Sequence, residues 1–426
     1  MKARKITAIL MATLMCLSVV GCGGNPESNL DKKTEDSKEG KELEIWVRGT
    51  ETDPTGPYLI EAVKKYEEEN GIKIKLQFIP HDDVITKWNS AFASGTAPDV
   101  IDLGIVHIAE RANLKHIIPL DEYYEKWENK DQLIPAMKDM GMYDDKLYAI
   151  AHYPDPQIFA YRKDMFEEAG LDPEQPPTDW EQLLEYAQKM TKKDKDGNII
   201  QSGFAAPTIE ARFLANILIH QKGAVFADEK NNVPTLTTPE AIETINFMDQ
   251  LHDCSTVFDN RKTDDHPFFK GTAAMGYIPN GSLKEYMNNN PDMKDKIGVV
   301  ACVPDQQEAT WCGVWFYGIT SQSENPDQAF DLISYLTSEE VLESRTEMEG
   351  IPSAFKYTED IYVEQNPQVN QAIVDAIECG YGNPKVSWSP LYEKALDQLI
   401  EEVFYDQKSV EQALEDAQES LMKEIE

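Results

Sequence analysis

The chain has 426 residues, enough for two or three ordinary domains, and its 41% apolar content can fill a sizeable core. Its 76 acidic against 40 basic residues leave a formal charge of −36, which argues against nucleic acid or an anionic membrane surface as a partner because phosphates are repelled. The same excess suits the solubility of a protein displayed outside the cell, and it weighs against an anionic ligand, although a local pocket can oppose the global sign.

The first 41 residues read as targeting and spacing. Lys2, Arg4 and Lys5 precede a charge-free, mostly apolar run over 6–20, and Val19-Val20-Gly21-Cys22 matches a bacterial lipobox. The run is too short and wrongly flanked for a stable spanning helix. Residues 1–21 are therefore expected to be an export signal cleaved before Cys22, whose thiol takes a diacylglyceryl group; the alternative is an ordinary signal with a chance cysteine. Two or three acyl chains anchor firmly where one is marginal. Residues 22–41 carry a single large apolar residue, Leu30, and read as a disordered tether. Of the later cysteines, Cys302 and Cys312 can face each other across a hairpin, and export would permit a bridge; buried free thiols are the simpler reading. No CxxC or Cys/His cluster points to a metal, and no cofactor is implied.

Beyond the tether, Leu43, Ile45 and Val47 alternate as a strand, followed by a polar loop over 48–56 and a helix near Tyr58–Asn70. Ile72, Ile74, Leu76 and Phe78 form a second strand. A helix with Val84, Trp88, Ala91 and Phe92 leads to Gly95, and Asp99–Leu103 is a third strand. Strands alternating with helices predict βαβ units and a mainly parallel sheet, whose ligands sit beyond the strands' carboxyl ends. That rule places Arg48–Asp53 and Leu103–His107 at one edge.

The stretch 146–190 organises the rest: an apolar strand, a kinked crossing stiffened by Pro154 and Pro156 around Asp155, a second strand with Ile158, Phe159 and Tyr161, a helix with Asp164 as its cap, and a helix opened by a Thr178–Glu181 capping box. Asp194–Asn198 (DKDGN) reads as a turn. Arg212–Gln221 and Ala241–His252 read as helices, Ala273–Ile278 as a strand ended by the turn Asn280-Gly281, and Ile297–Val303 as a returning strand. Trp311–Ile319 is dense in aromatics, Gln328–Leu336 is amphipathic, and the last helix lies near Val410–Ile425.

The words KLYAIAHY, FAYRKDMFEEAGLD and PPTDWEQLLEYAQKMT, with ASGTAPDVID, FFKGTAAMGYIPNGS, Gly298–Ile319 and GIPSAFK in the right order, resemble the family 1 extracellular solute-binding proteins, capture subunits of ABC importers, mostly for sugars. The resemblance implies a two-lobed, periplasmic-binding-protein-like (type II) α/β fold, each lobe a mainly parallel sheet flanked by helices, with the ligand in the cleft between. It divides the chain into lobe 1, residues 42–153 plus about 304–350, and lobe 2, residues 154–303 plus about 351–426. It further implies a monomeric, lipid-anchored receptor on the extracytoplasmic face of a bacterium, whose acidic tether and short basic signal fit a Gram-positive one, with ABC permease subunits and a small solute as partners.

Carried over residue by residue, the resemblance nominates Thr50, Glu51 and Asp53 after the first strand and Leu103, Gly104 and His107 after the third. It also nominates Tyr153 and Asp155 at the crossing, Arg212 and Phe213 at a helix start, and Asn280 and Ser282 on the second rim. Trp311, Gly313 and Trp315 fall on the aromatic strand, and Trp388 lies near the end. Each has a packing alternative: core for Tyr153, Trp315 or Trp388, and a solvated cation for Arg212. Trp46, Trp88, Trp127 and Trp180 read as packing residues. Two departures bear on the ligand: Gly281-Ser282-Leu283 stands where the family has GxW, and Arg162 where it often has Asn. A polyamine, a glycerophosphodiester or a peptide are rival ligands of the same clamp. A secreted glycoside hydrolase is a rival of another class, but no nucleophile elbow or distinctive carboxylate motif supports it.

Overall fold

The computed structural model describes residues 42–53, 55–260, 262 and 265–425. The expected export signal, Cys22 and the tether lie outside the described residues.

Alternation builds the first strand, β1 (Glu42–Arg48): Leu43, Ile45 and Val47 are buried on one face and Trp46 on the other. Helix α1 (Thr55–Asn70) returns the chain to β2 (Lys73–Ile79), which pairs parallel with β1 from Glu42–Lys73 to Arg48–Ile79. Helix α2 (Val84–Ser94) buries Val84, Trp88, Ala91 and Phe92 and leads to β3 (Val100–Gly104), also parallel to β1. The three strands therefore end on one edge.

The crossing differs from its expectation. Residues 146–190 do not kink at the prolines; Ile150–Arg162 is one unbroken 13-residue strand, β4. Downstream come β5 (Ile199–Phe204), α3 (Arg212–Gln221), β6 (Ala273–Pro279), α4 (Asn280–Asn289), β7 (Ile297–Val300) and β8 (Thr310–Ile319). The first part of β4 pairs with β8, and its last part, from Gln157, with β6 and then β7. Pro154 and Pro156 fall where β4 has a partner on one side alone, so a proline whose nitrogen faces the open side leaves no ladder bond unmade.

The strand order is β2-β1-β3-β8-β4-β6-β5, with β7 also against β4. Parallel pairing joins β1–β2, β1–β3 and β5–β6, and the first residues of β8 with the short strand Gly380–Tyr381; within the strand order above, β4 and β8, which run between the two ends of the sheet, are antiparallel to each other and to their neighbours. The sheet is thus mixed, because a crossing strand enters each parallel set from the opposite direction.

Two hydrophobic cores flank it. One gathers Ile45, Trp88, Val100, Ile150, Phe316, Leu332 and Phe355; the other gathers Phe159, Trp180, Leu214, Met275, Tyr392 and Leu414. Trp46, Trp88, Trp127 and Trp180 are all buried, as packing residues should be. Helices α5 (Glu339–Glu349), α6 (Pro367–Glu378) and α7 (Ser389–Phe404) complete the parts that bear on the site, and the last helix runs Val410–Ile425.

Smaller corrections have local causes. Asn280-Gly281 opens helix α4 instead of forming a separate turn. The helix Trp180–Met190 is capped by Asp179, whose carboxylate accepts from Gln182 N at 2.9 Å, and not by Thr178. The short helix Lys163–Glu168 starts before Asp164, which bonds Arg162 instead of capping. Cys302 and Cys312 do not bridge: both are buried free thiols, and Cys302 meets Cys379.

Candidate functional site

The register of the crossing assembles the site. Tyr153 lies opposite Trp315 and Asp155 opposite Gly313, so these four share one face of the β4–β8 pair with Trp311. Along β8 that face is half-exposed at Trp311, Gly313 and Trp315, while Cys312, Val314 and Phe316 on the other face are buried. Five nominated residues thus line one floor.

Beside this floor, at the carboxyl ends of β1, β2 and β3, lies a cleft of about 420 Å³ lined by Arg48, Asp53, His81, Asp102, Tyr153 and Trp315 among others. The loop after β1 folds back onto it. Gly49 stands at φ 104°, and a Cβ there would lie 2.5 Å from the Asp53 carboxylate, so the turn needs glycine. Thr50 donates to Asp53 from both its hydroxyl and its backbone N, each at 2.8 Å, which holds the Asp53 carboxyl below its ordinary range. Glu51 is exposed beside them.

Arg48 lies flat on the Trp315 ring, 3.2 Å from its centroid. Gly104 makes room for the stack: a Cβ there would meet the indole at 2.8 Å and an Arg48 nitrogen at 3.4 Å. Behind Arg48 runs a buried polar chain. Asp102 lies 4.0 Å from Arg48 Nε and accepts from His152 Nε2 at 3.1 Å. Arg345 Nη1 reaches His152 Nδ1 at 3.4 Å, and Arg345 Nε donates to Glu349 at 3.3 Å. Burial lowers the His152 pKa against the pull of Asp102, so the imidazole is neutral, giving Nε2–H to Asp102 and accepting at Nδ1. Burial alone would raise the Asp102 carboxyl; His152 and Arg48 outweigh it and hold it down. Burial pushes Arg48 down to about 10, only partly offset by Asp102. His152 also stacks on Tyr317 at 4.0 Å, and the Arg345 guanidinium sits 5.1 Å from the Tyr153 ring.

Asp155 faces the other way along the floor. Its carboxylate accepts from Gly281 N at 3.0 Å, at the start of α4, and burial raises its pKa to about 6. Asn280 is buried beside the Tyr362 hydroxyl, and Ser282 is half-buried in the same first turn. Phe213 packs edge-on against Trp311 at 4.6 Å, and the Trp311 indole donates to Asn383 at 3.0 Å.

Four nominations fall elsewhere. Leu103 is fully buried in the first core, since β3 is covered on both faces. His107 turns from the cleft to lie 3.7 Å from Glu110 and edge-on to Trp88. Arg212 is occupied by Asp397, Glu393 and Glu210, tying α3 to α7. Trp388 is 6% exposed in the second core, its indole bonded to Asn232. Sequence reasoning missed His81, Asp102, His152 and Arg345. His81 was within reach of the strand-end rule, because it lies two residues beyond the end of β2. Nothing local marks Arg345, whose i,i+4 pairing with Glu349 reads as a surface helix pair.

The family profile described as bacterial extracellular solute-binding protein matches residues 49–343. A putative binding protein of Brucella abortus is 24% identical over 308 residues, covering 70% of this chain and 72% of that protein. The arabinooligosaccharide-binding protein of Halalkalibacterium halodurans is 23% identical over 291 residues, 65% of this chain and 63% of that protein. Among solved structures, the sugar-binding protein MalE of Xanthomonas citri superposes with a TM-score of 0.79 at 20% identity, covering 89% of this chain and 96% of that one. The architecture is accordingly the two-lobed type II binding-protein fold.

Proposed function

The chain belongs to the bacterial extracellular solute-binding proteins, and we propose that it is the capture receptor of an ABC importer, taking a mono- or oligosaccharide into the cleft and delivering it to the membrane permease. One observation carries the reading: the β4–β8 register sets Tyr153, Trp315 and Trp311 on one half-exposed floor, with Arg48 laid on Trp315 and Asp53 and His81 beside it. Aromatic faces meet the C–H faces of a sugar, and forked polar groups meet its hydroxyls.

In this reading β4 and β8 carry the chain between lobe 1 (42–153 and about 304–350) and lobe 2 (154–303 and about 351–426). A solute that touches both lobes selects the closed state, which the importer reads. Among the described residues no helix is long and apolar enough to cross a membrane, and anchoring through a lipidated Cys22 on the extracytoplasmic face of a Gram-positive cell, as a monomer, belongs to the same proposal. So does the absence of catalysis: the solute leaves unchanged.

The test is calorimetry of the purified protein against a saccharide panel, repeated with Trp315→Ala. A bound saccharide should lose at least about tenfold in affinity when the indole goes. Unchanged affinity, or turnover of a glycoside by the protein, would contradict the assignment.

A further inference from the structure

The hydrogen-bond account of the cleft is out of balance, and the imbalance has a sign. Both carboxylates on its wall already have protein donors. Asp53 takes two bonds from Thr50, and Asp102 takes one from His152 Nε2 and one from the Arg48 backbone N at 3.4 Å. Arg345 is likewise spent on Glu349 and His152. Arg48 is not. Its Nε and Nη2 are buried and make no hydrogen bond among the described residues, and its nearest carboxylate stands off at 4.0 Å. Leaving such donors unpaired is costly, more so for a charged group. What the wall lacks is an acceptor.

The stack on Trp315 decides how an acceptor approaches. With one face of the guanidinium against the indole at 3.2 Å and Nε and Nη2 closed off by the protein, an acceptor has to come in the guanidinium plane from the Nη1 side, where a carboxylate or phosphate can make parallel bonds to the two Nη groups. A neutral hydroxyl fits less well: its single oxygen cannot span two parallel N–H bonds, and it carries no charge to pair with the guanidinium. Building on the carbohydrate reading above, we propose that the solute carries an oxyanion, a uronate carboxylate or a phosphate ester, and that Arg48, held flat by Trp315 and Gly104, is the residue that selects for it. The surplus of negative charge elsewhere does not prevent this, because exposed charges more than about 8 Å away are largely screened at physiological ionic strength. Burial lowers the Arg48 pKa while leaving it charged at neutral pH, and an incoming oxyanion would restore the stabilisation that burial removes.

The experiment is calorimetry on the purified protein with three probes: digalacturonate, glucose 6-phosphate and the neutral disaccharide mannobiose. The acidic probe that binds names the source of the oxyanion. Its affinity should fall ten- to a hundredfold in Arg48→Met and less in Arg48→Lys, which keeps the charge without the fork. Should Arg48→Met fold poorly, the ligand is altered instead: the methyl ester of digalacturonate, or unphosphorylated glucose, should lose tenfold or more against the unaltered protein. Preference for the neutral disaccharide, or an acidic probe bound equally well by Arg48→Met, would overturn the oxyanion assignment and leave the carbohydrate receptor standing. No binding in any arm, extended to the wider saccharide panel, would remove the receptor reading as well.

Discussion

Replacing Arg345 by methionine should damage this protein far more than its place in an i,i+4 helix pair suggests. The Arg345 side chain is 5% exposed and that of Glu349 is 7%, with Nε and Oε2 3.3 Å apart. At an effective dielectric constant of about 20, two unit charges at that distance attract by about 5 kcal/mol. An exposed pair would return about 0.5 kcal/mol of this; here the partner left behind stays buried, and removal of one member of such a pair costs about 3–5 kcal/mol. Glu349 Oε1 already lacks a hydrogen bond, and burial raises the Glu349 pKa even with Arg345 beside it. Without Arg345 that carboxyl should be neutralised readily, so the deficit should be largest near pH 7 and shrink as the pH falls and the proton is taken up. Urea unfolding followed by tryptophan fluorescence at pH 7 and pH 5 measures both effects. Adding Glu349→Gln to Arg345→Met should recover much of the loss. A single-variant cost below about 1 kcal/mol, or a deficit that grows toward acid, would refute the reasoning.

Two further outcomes follow from the floor of the cleft. The Asp155 carboxyl titrates at about 6 in the folded protein against 3.8 as its ordinary value. Between those values the folded state holds more protons than the unfolded chain, so Asp155 lowers stability as pH rises from about 4 to 6, by at most about 3 kcal/mol because the side chain keeps some exposure. Asp155→Asn should flatten that segment of the stability–pH profile; an unchanged slope would contradict the burial argument. Gly104→Ala should displace the Trp315–Arg48 stack, costing about 1–3 kcal/mol in unfolding measurements and weakening solute binding together. Full retention of both would mean the stack is dispensable.

Much of this architecture was legible because it follows from periodicity. Leu43, Ile45 and Val47 alternate, and β1 is where they place it; Arg212–Gln221 and Val410–Ile425 are helices at the expected bounds. The floor was nominated through the family resemblance alone, and the structure supplies the physical reason its members go together. Trp311, Gly313 and Trp315 are two residues apart, so if one faces the cleft all do, and the pairing of β8 with β4 brings Tyr153 and Asp155 to the same face. What escaped depends on contacts distant in sequence. The pattern could not tell Asp102, which meets Arg48 and His152, from its neighbour Leu103, because β3 is buried on both faces and has no polar side to read. Arg212 has the look of a helix-start ligand until α7 brings Asp397 and Glu393 against it. The two prolines promised a bend; whether they bend a strand depends on what lies alongside, and here the second partner begins only at Gln157.

Closure on a bound solute is what distinguishes a capture receptor from a protein that merely holds a ligand. Small-angle X-ray scattering of the purified protein, alone and saturated with the saccharide that calorimetry identifies, should show the radius of gyration falling as the halves joined by β4 and β8 draw together on the solute. Heat of binding with an unchanged scattering profile would mean that the cleft is occupied without being clamped, and the receptor mechanism would have to be given up.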